Sequence, residues 1–132
     1  MHPHNRVVMA KVLVVEDELL IRLAICEELE AEGCDLLTAD NADEAIRMLE
    51  TRNDISTIFT DIDMPGSMDG LKLATAVRDR WPPVNIIVTT GKRPPRADQL
   101  PTNSRFFRKP YQASEVLTAI RAFAQNSTGP AS

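Results

Sequence analysis

Residues 58–70 read IFTDIDMPGSMDG. The apolar positions Ile55, Ile58 and Phe59 have β character and lead directly into Asp61. A second acid at Asp63, a Pro-Gly turn and the cap-like pair Asp69-Gly70 follow, and a new periodic segment opens behind them. A strand that ends in a carboxylate and turns at once into a loop presents that carboxylate at the C-terminal edge of a sheet. In open α/β sheets ligand chemistry collects at that edge. Asp61 is therefore the first functional candidate, and the surrounding chain must supply the groups that converge on it.

Working outward, the same alternation repeats on both sides. Lys11–Val15 (KVLVV) is an unbroken apolar run, as expected of a parallel strand covered on both faces. It ends in Glu16-Asp17-Glu18, and a helical pattern runs from Glu18 to Glu32, stopped by Gly33. Cys34–Ala39 reads as a second strand. Asp40 or Asn41 caps a helix to about Arg52, with Ala45, Ile46 and Leu49 as its apolar stripe. The third strand is expected over Ile55–Thr60. Asp69 then opens a helix to about Arg80 that buries Leu71, Leu73 or Ala74, and Val77, before Trp81-Pro82-Pro83. Asn85–Thr89 is a fourth strand and Arg105–Arg108 a fifth. Gln112–Gln125 is a last amphipathic helix with Val116, Leu117, Ile120 and Phe123 inward. Strands alternating with helices predict an α/β fold, a doubly wound five-stranded parallel sheet flanked by helices. Residues 1–10 are expected to form a disordered lead, 11–125 the domain, and 126–132 a disordered tail.

Composition excludes several function classes. The 132 residues amount to one domain, 43% hydrophobic and 26% charged, with a formal net charge of −4 and 5% aromatics. No basic block exists, so nucleic-acid binding has no electrostatic footprint. No stretch approaches the roughly 20 apolar residues of a membrane span, and the N-terminus lacks the apolar core of a secretory signal. Cys26 and Cys34 have no ligand spacing around them and read as reduced thiols of a cytoplasmic protein.

Several strands end in polar groups at one edge: Glu16 and Asp17 after the first, Asp61 at the third, Thr89 and Thr90 at the fourth, Lys109 after the fifth. Three carboxylates together repel, and a divalent cation relieves the repulsion. Oxygen ligands without His or Cys select a hard ion, and Mg²⁺ at ~2.0–2.1 Å fits best. A cation, a lysine and a hydroxyl around one carboxylate make a site for handling phosphoryl groups, with Asp61 as nucleophile.

The segments VLVVEDE, TDIDMPGSMDGL, IIVTTG and FFRKPY, in this order, resemble the receiver domain of bacterial two-component response regulators. The resemblance runs from about Lys11 to Phe123 and implies a flavodoxin-like fold. It implies that Asp61 accepts phosphate from a kinase phosphohistidine, from a sensor histidine kinase or a phosphotransfer protein. It further implies that Glu16, Asp17, Asp61 and the backbone carbonyl of Asp63 hold Mg²⁺, with the Asp63 side chain solvated. Thr89, with Thr90 as its rival, and Lys109 would grip the phosphoryl group. Phe106 matches the switch aromatic, with Thr90 as its companion in the switch, and Lys109-Pro110 would be a cis peptide. With no effector domain after the last helix, a stand-alone receiver acting on a downstream protein partner is expected.

Two departures from the family are visible. The loop after Asp61 is longer by one residue, at Gly66-Ser67. Pro94, Pro95 and Pro101 leave the helix between strands four and five shortened or missing, confined to about Arg96–Gln99. A rival is a haloacid-dehalogenase-like phosphatase, since Asp61-Ile62-Asp63 has that family's nucleophile signature. That motif normally follows the first strand, however, and here it follows the third. Finally, at 100° per residue Ile21, Ile25 and Leu29 form the core arc of the first helix. Leu19, Leu23 and Cys26 fall nearly opposite, with Leu20 on the flank. This second stripe is read as a docking surface for the kinase, with a homodimer as the second candidate.

Overall fold

The computed structural model describes residues 11–127 apart from Pro65 and Ser67. The expected lead over residues 1–10 and most of the expected tail lie outside the described residues. Asn126 and Ser127 belong to the last helix. Five parallel strands, β1 (Lys11–Val15), β2 (Asp35–Ala39), β3 (Thr57–Asp61), β4 (Asn85–Thr90) and β5 (Ser104–Arg108), lie in the order β2-β1-β3-β4-β5. The strand order reverses beside β1 and β3, which opens a crevice at their C-terminal ends. The helices are α1 (Leu19–Ala31), α2 (Ala42–Thr51), α3 (Gly70–Arg80) and α4 (Ala113–Ser127).

Strand alternation sorts the core into two layers. Leu13, Val15, Ile58, Ile86 and Val88 face α2 and α3, meeting Ala45, Leu49, Leu73, Ala74 and Val77. Val12, Val14, Phe59 and Ile87 face α1 and α4, meeting Ile25, Leu29, Val116 and Ile120. Each fully buried aliphatic side chain contributes about 1.5–3 kcal/mol. The helix boundaries follow local chemistry. Asn41 Oδ1 accepts from the Glu44 N–H at 2.8 Å, and Asp69 Oδ1 from the Lys72 N–H at 2.9 Å, so of the two expected candidates Asn41 and not Asp40 caps α2, and Asp69 caps α3 as expected. Gly33 follows α1 at φ 96°, a conformation most side chains avoid.

Three expectations need correction. β3 runs Thr57–Asp61 rather than Ile55–Thr60, because Asp61 itself pairs with Thr89. Leu71 is half-exposed, since the Asp69 cap turns Leu73, Ala74 and Val77 inward instead. Cys26 is half-buried and packs against the α1/α4 core layer, because the buried arc of α1 is centred nearer Leu29 than Ile21. Between β4 and β5 the chain makes only a single 3-10 turn at Ala97–Gln99, within the limits set by the prolines. Among the described residues no helix is long and apolar enough to cross a membrane.

Candidate functional site

The strand parity that builds the core also builds the site. Continuing the alternation of Val12 and Val14 places Glu16 on the α1/α4 face, and continuing Phe59 places Asp61 there. Both are nearly enclosed, at 5% and 4% exposure, while Asp17 on the turn into α1 is exposed. Carboxylate oxygens of Glu16, Asp17 and Asp61 lie within 4.8 Å of one another. Lys109, two residues beyond Phe107 on the same face, brings Nζ to 3.0 Å from Asp61 Oδ2 and 3.5 Å from Glu16 Oε1. One ammonium against three carboxylates leaves the pocket anionic.

Main-chain groups fix the acids. The Asp63 N–H donates to Asp61 Oδ1 at 3.1 Å, and the Glu18 N–H to Glu16 Oε2 at 3.1 Å. Arg22 donates to the Glu16 carbonyl at 2.7 Å and pairs with Asp40 at 2.8 Å, tying α1 to the ends of β1 and β2. Burial, reinforced by the charge of Asp61, pushes the Glu16 carboxyl above its ordinary range, against the pull of the Glu18 N–H and Lys109. Burial opposes the charge on Lys109, but Asp61 and Glu16 together outweigh it and raise its pKa. Tyr111 packs edge-on against Phe59 at 5.7 Å, and its phenol is pushed up by burial and by the nearby acids. An all-oxygen donor set with excess negative charge fits a hard divalent cation such as Mg²⁺.

The two threonines of β4 part company. Thr89 is in register with Asp61 and so shares its face. Thr90 projects to the opposite face, which it shares with Phe106, a residue packed on the α2/α3 layer. Thr90 Oγ1 donates to Asp63 Oδ2 at 2.5 Å.

The sequence matches the response regulator receiver domain family over residues 12–121. The chain belongs to that family. The receiver is 30% identical to the transcriptional regulatory protein ResD of Bacillus subtilis over 121 residues, 89% of this chain and 49% of ResD. It is 35% identical to the response regulator protein FleR of Pseudomonas aeruginosa over 82 residues, 62% of this chain and 17% of FleR. The chain thus spans half or less of the length of these relatives. Among solved structures it resembles response regulator TrrA from Thermotoga maritima in complex with Mg(2+)-BeF. That likeness has a TM-score of 0.77 at 29% identity and covers 87% of this chain and 99% of TrrA. The dehalogenase-like alternative finds no support in these likenesses.

Within the receiver, Glu16, Asp17, Asp61 and Lys109 converge as the sequence led one to expect, and the Lys109-Pro110 peptide is cis. Two residues were not singled out for what they do. The Asp63 side chain, expected in solvent, is half-buried and held by Thr90; its partner lies 27 residues away, and no sequence signal links them. Gly70 opens α3 against the site strand, where an added Cβ would lie 2.1 Å from the Asp61 carbonyl oxygen and 2.7 Å from Ile62 Cα. A glycine at the first position of a helix, where other residues are better helix formers, was the available signal. Leu19, Leu20 and Leu23 are exposed at 55%, 79% and 55% on the first turns of α1, which follows Glu16 and Asp17 in the chain.

Proposed function

We propose that this receiver accepts a phosphoryl group on Asp61 from the phosphohistidine of a sensor histidine kinase or phosphotransfer protein. The observation that carries the reading is the enclosed Asp61 carboxylate, paired with Lys109 at 3.0 Å and grouped with Glu16 and Asp17. An Asp61 carboxylate oxygen attacks phosphorus, an O–P bond forms, and the P–N bond to the donor imidazole breaks. The departing imidazole nitrogen keeps the bonding pair and takes up a proton. The Lys109 ammonium offsets charge on the oxygens of the group that arrives. Glu16, Asp17 and Asp61, with the Asp63 main-chain carbonyl, would hold Mg²⁺; when bound, the ion supplies neutralisation of the phosphoryl oxygens.

Of the two candidate hydroxyls, Thr90 suits the phosphoryl contact better than Thr89. It stands one residue nearer the C-terminal edge, beyond the register partner of Asp61, and its hydroxyl already reaches the loop after β3. Sharing a face with Phe106, it would couple phosphorylation to that aromatic and to a protein-binding surface for a downstream partner. The exposed leucines on the first turns of α1, the helix that follows Glu16 and Asp17, would meet the kinase, with a homodimer as the second candidate. A cytoplasmic location follows from such a partner.

Incubation with acetyl phosphate and Mg²⁺ should add one phosphoryl group, read by intact mass. Asp61→Asn should abolish it, and EDTA should suppress it. Labelling that survives both would sink the proposal.

A further inference from the structure

The hydroxyl assigned to the phosphoryl group is already engaged by an anion, and the anion belongs to this chain. Thr90 Oγ1 donates to Asp63 Oδ2 at 2.5 Å, within the range of charge-assisted O–H···O⁻ bonds. The Gly91 N–H points at the same oxygen, 3.4 Å away, and the Lys92 N–H donates to Thr90 Oγ1 at 3.1 Å. The end of β4 is thus a small cradle of one hydroxyl and one amide with a carboxylate seated in it. Through its own N–H, Asp63 also touches Asp61 Oδ1 at 3.1 Å. One residue therefore contacts the acceptor through its main chain and the cradle through its side chain.

A threonine hydroxyl has a single proton and cannot donate to two anions at once. Resting on the assignment of Asp61 and Thr90 above, we propose that Asp63 is a positioning residue that competes with the phosphoryl group for Thr90 and Gly91. While its carboxylate is seated, the cradle is closed to a phosphoryl oxygen. When Asp61 carries the phosphoryl group, the carboxylate must leave. Asp63 is half-exposed, so it can swing into solvent without disturbing the core. The exchange of one anion for another passes the Thr90 hydroxyl and the Gly91 N–H from the carboxylate to the phosphoryl group, while the Lys92 N–H keeps its acceptor on Thr90 Oγ1. Asp63 thereby sets the threshold for occupancy of the site.

The test uses beryllofluoride with Mg²⁺ as the probe and calorimetry as the readout, on the wild type, Asp63→Ala, Asp63→Asn, Thr90→Val and the Thr90→Val/Asp63→Ala pair. Removing a competitor held by a charge-assisted bond should tighten binding about tenfold in Asp63→Ala, and by a smaller factor in Asp63→Asn. In the Thr90→Val background the same Asp63→Ala change should alter affinity less than about threefold, because the contact it would break is gone. Equal tightening in both backgrounds would mean that net charge alone acts, and would overturn the latch. Unchanged or weaker binding in Asp63→Ala and Asp63→Asn would overturn it too. Should Asp63→Ala fail to fold, Asp63→Asn alone decides, paired with Thr90→Val. Failure of every form, the wild type included, to bind would overturn the acceptor assignment and the latch together, whereas binding without a Thr90-dependent difference would remove only the latch.

Discussion

The crossovers that leave β3 and β4 solve the same problem in different ways. From β3 the chain turns over a short loop into the regular helix α3, whose buried face carries Leu73, Ala74 and Val77 into the core. From β4 it runs through residues 91–103 with only the turn at Ala97–Gln99. The prolines are the cause. Leu100, which precedes Pro101, is extended at φ −92°, ψ 138°, as a residue before proline prefers. The second crossover is held by polar tethers to other elements. Arg78 of α3 donates to the Thr102 carbonyl of this crossover at 3.1 Å, and to the Pro82 and Val84 carbonyls of its own α3–β4 turn at 2.7 and 3.1 Å, and Ser104 Oγ donates to the Pro101 carbonyl at 2.7 Å. Asp61 sits at the foot of the first crossover and Lys109 beyond the end of the second. The acid half of the site is thus locked by close backbone packing, and the cationic half hangs on an edge strand and its tethers.

The largest effect should come from breaking the locked half. In Gly70→Ala the new Cβ would meet the Asp61 carbonyl oxygen at 2.1 Å, and backbone cannot yield as a flexible side chain does. We expect a loss of roughly 3 kcal/mol or more in urea unfolding, at or above the top of the usual overpacking range, with phosphoryl uptake lost alongside. A variant within about 1 kcal/mol of the wild type would show that the first crossover yields after all.

The tethered half should give way more gently. Arg78→Met keeps much of the stem and removes the guanidinium from three carbonyls that face solvent or lie near it. A loss of about 1–2 kcal/mol is expected, with faster amide exchange over residues 82–84 and 96–104 and unchanged protection around Asp61. Equal loss of protection around Asp61 would show that the two crossovers form one cooperative unit and would erase the contrast drawn here.

This contrast marks where the sequence could be read and where it could not. Val12–Val15 and Ile86–Val88 announce themselves because strands buried on both faces must be apolar at every position. The short second crossover was visible because proline acts on its own backbone and its neighbour's, a local effect. Glu16, Asp17, Asp61 and Lys109 were legible because a strand end fixes where a side chain emerges. Thr89 and Thr90 were not separable on chemistry, being identical residues side by side. Their faces are decided by pairing with β3 and β5, which local sequence does not encode. The role of Asp63 depends on a partner 27 positions away, and Cys26 on where α1 settles against α4, both of them outcomes of packing.

The smallest effect on folding belongs to a site outside both crossovers, and it fixes the zero of the scale. Leu23 is 55% exposed, with Leu19 and Leu20 beside it on the outer arc of α1. Isolated exposed leucines are ordinary and call for no function. Three on the first turns of the helix that follows Glu16 and Asp17 are less so, although Cys26 no longer extends the stripe because it faces the core. Leu23→Glu should change stability by no more than about 0.5 kcal/mol, since the side chain already meets water and glutamate is a good helix former. Uptake from acetyl phosphate should be unchanged, because a donor that small needs only the pocket. Phosphotransfer from a cognate kinase should fall several-fold, because a protein donor must seat a surface over the pocket and a buried carboxylate there goes unpaired. If the kinase reaction is as fast as in the wild type, and sedimentation shows no smaller species, the leucines are plain surface and recognition must be sought on the tethered half instead.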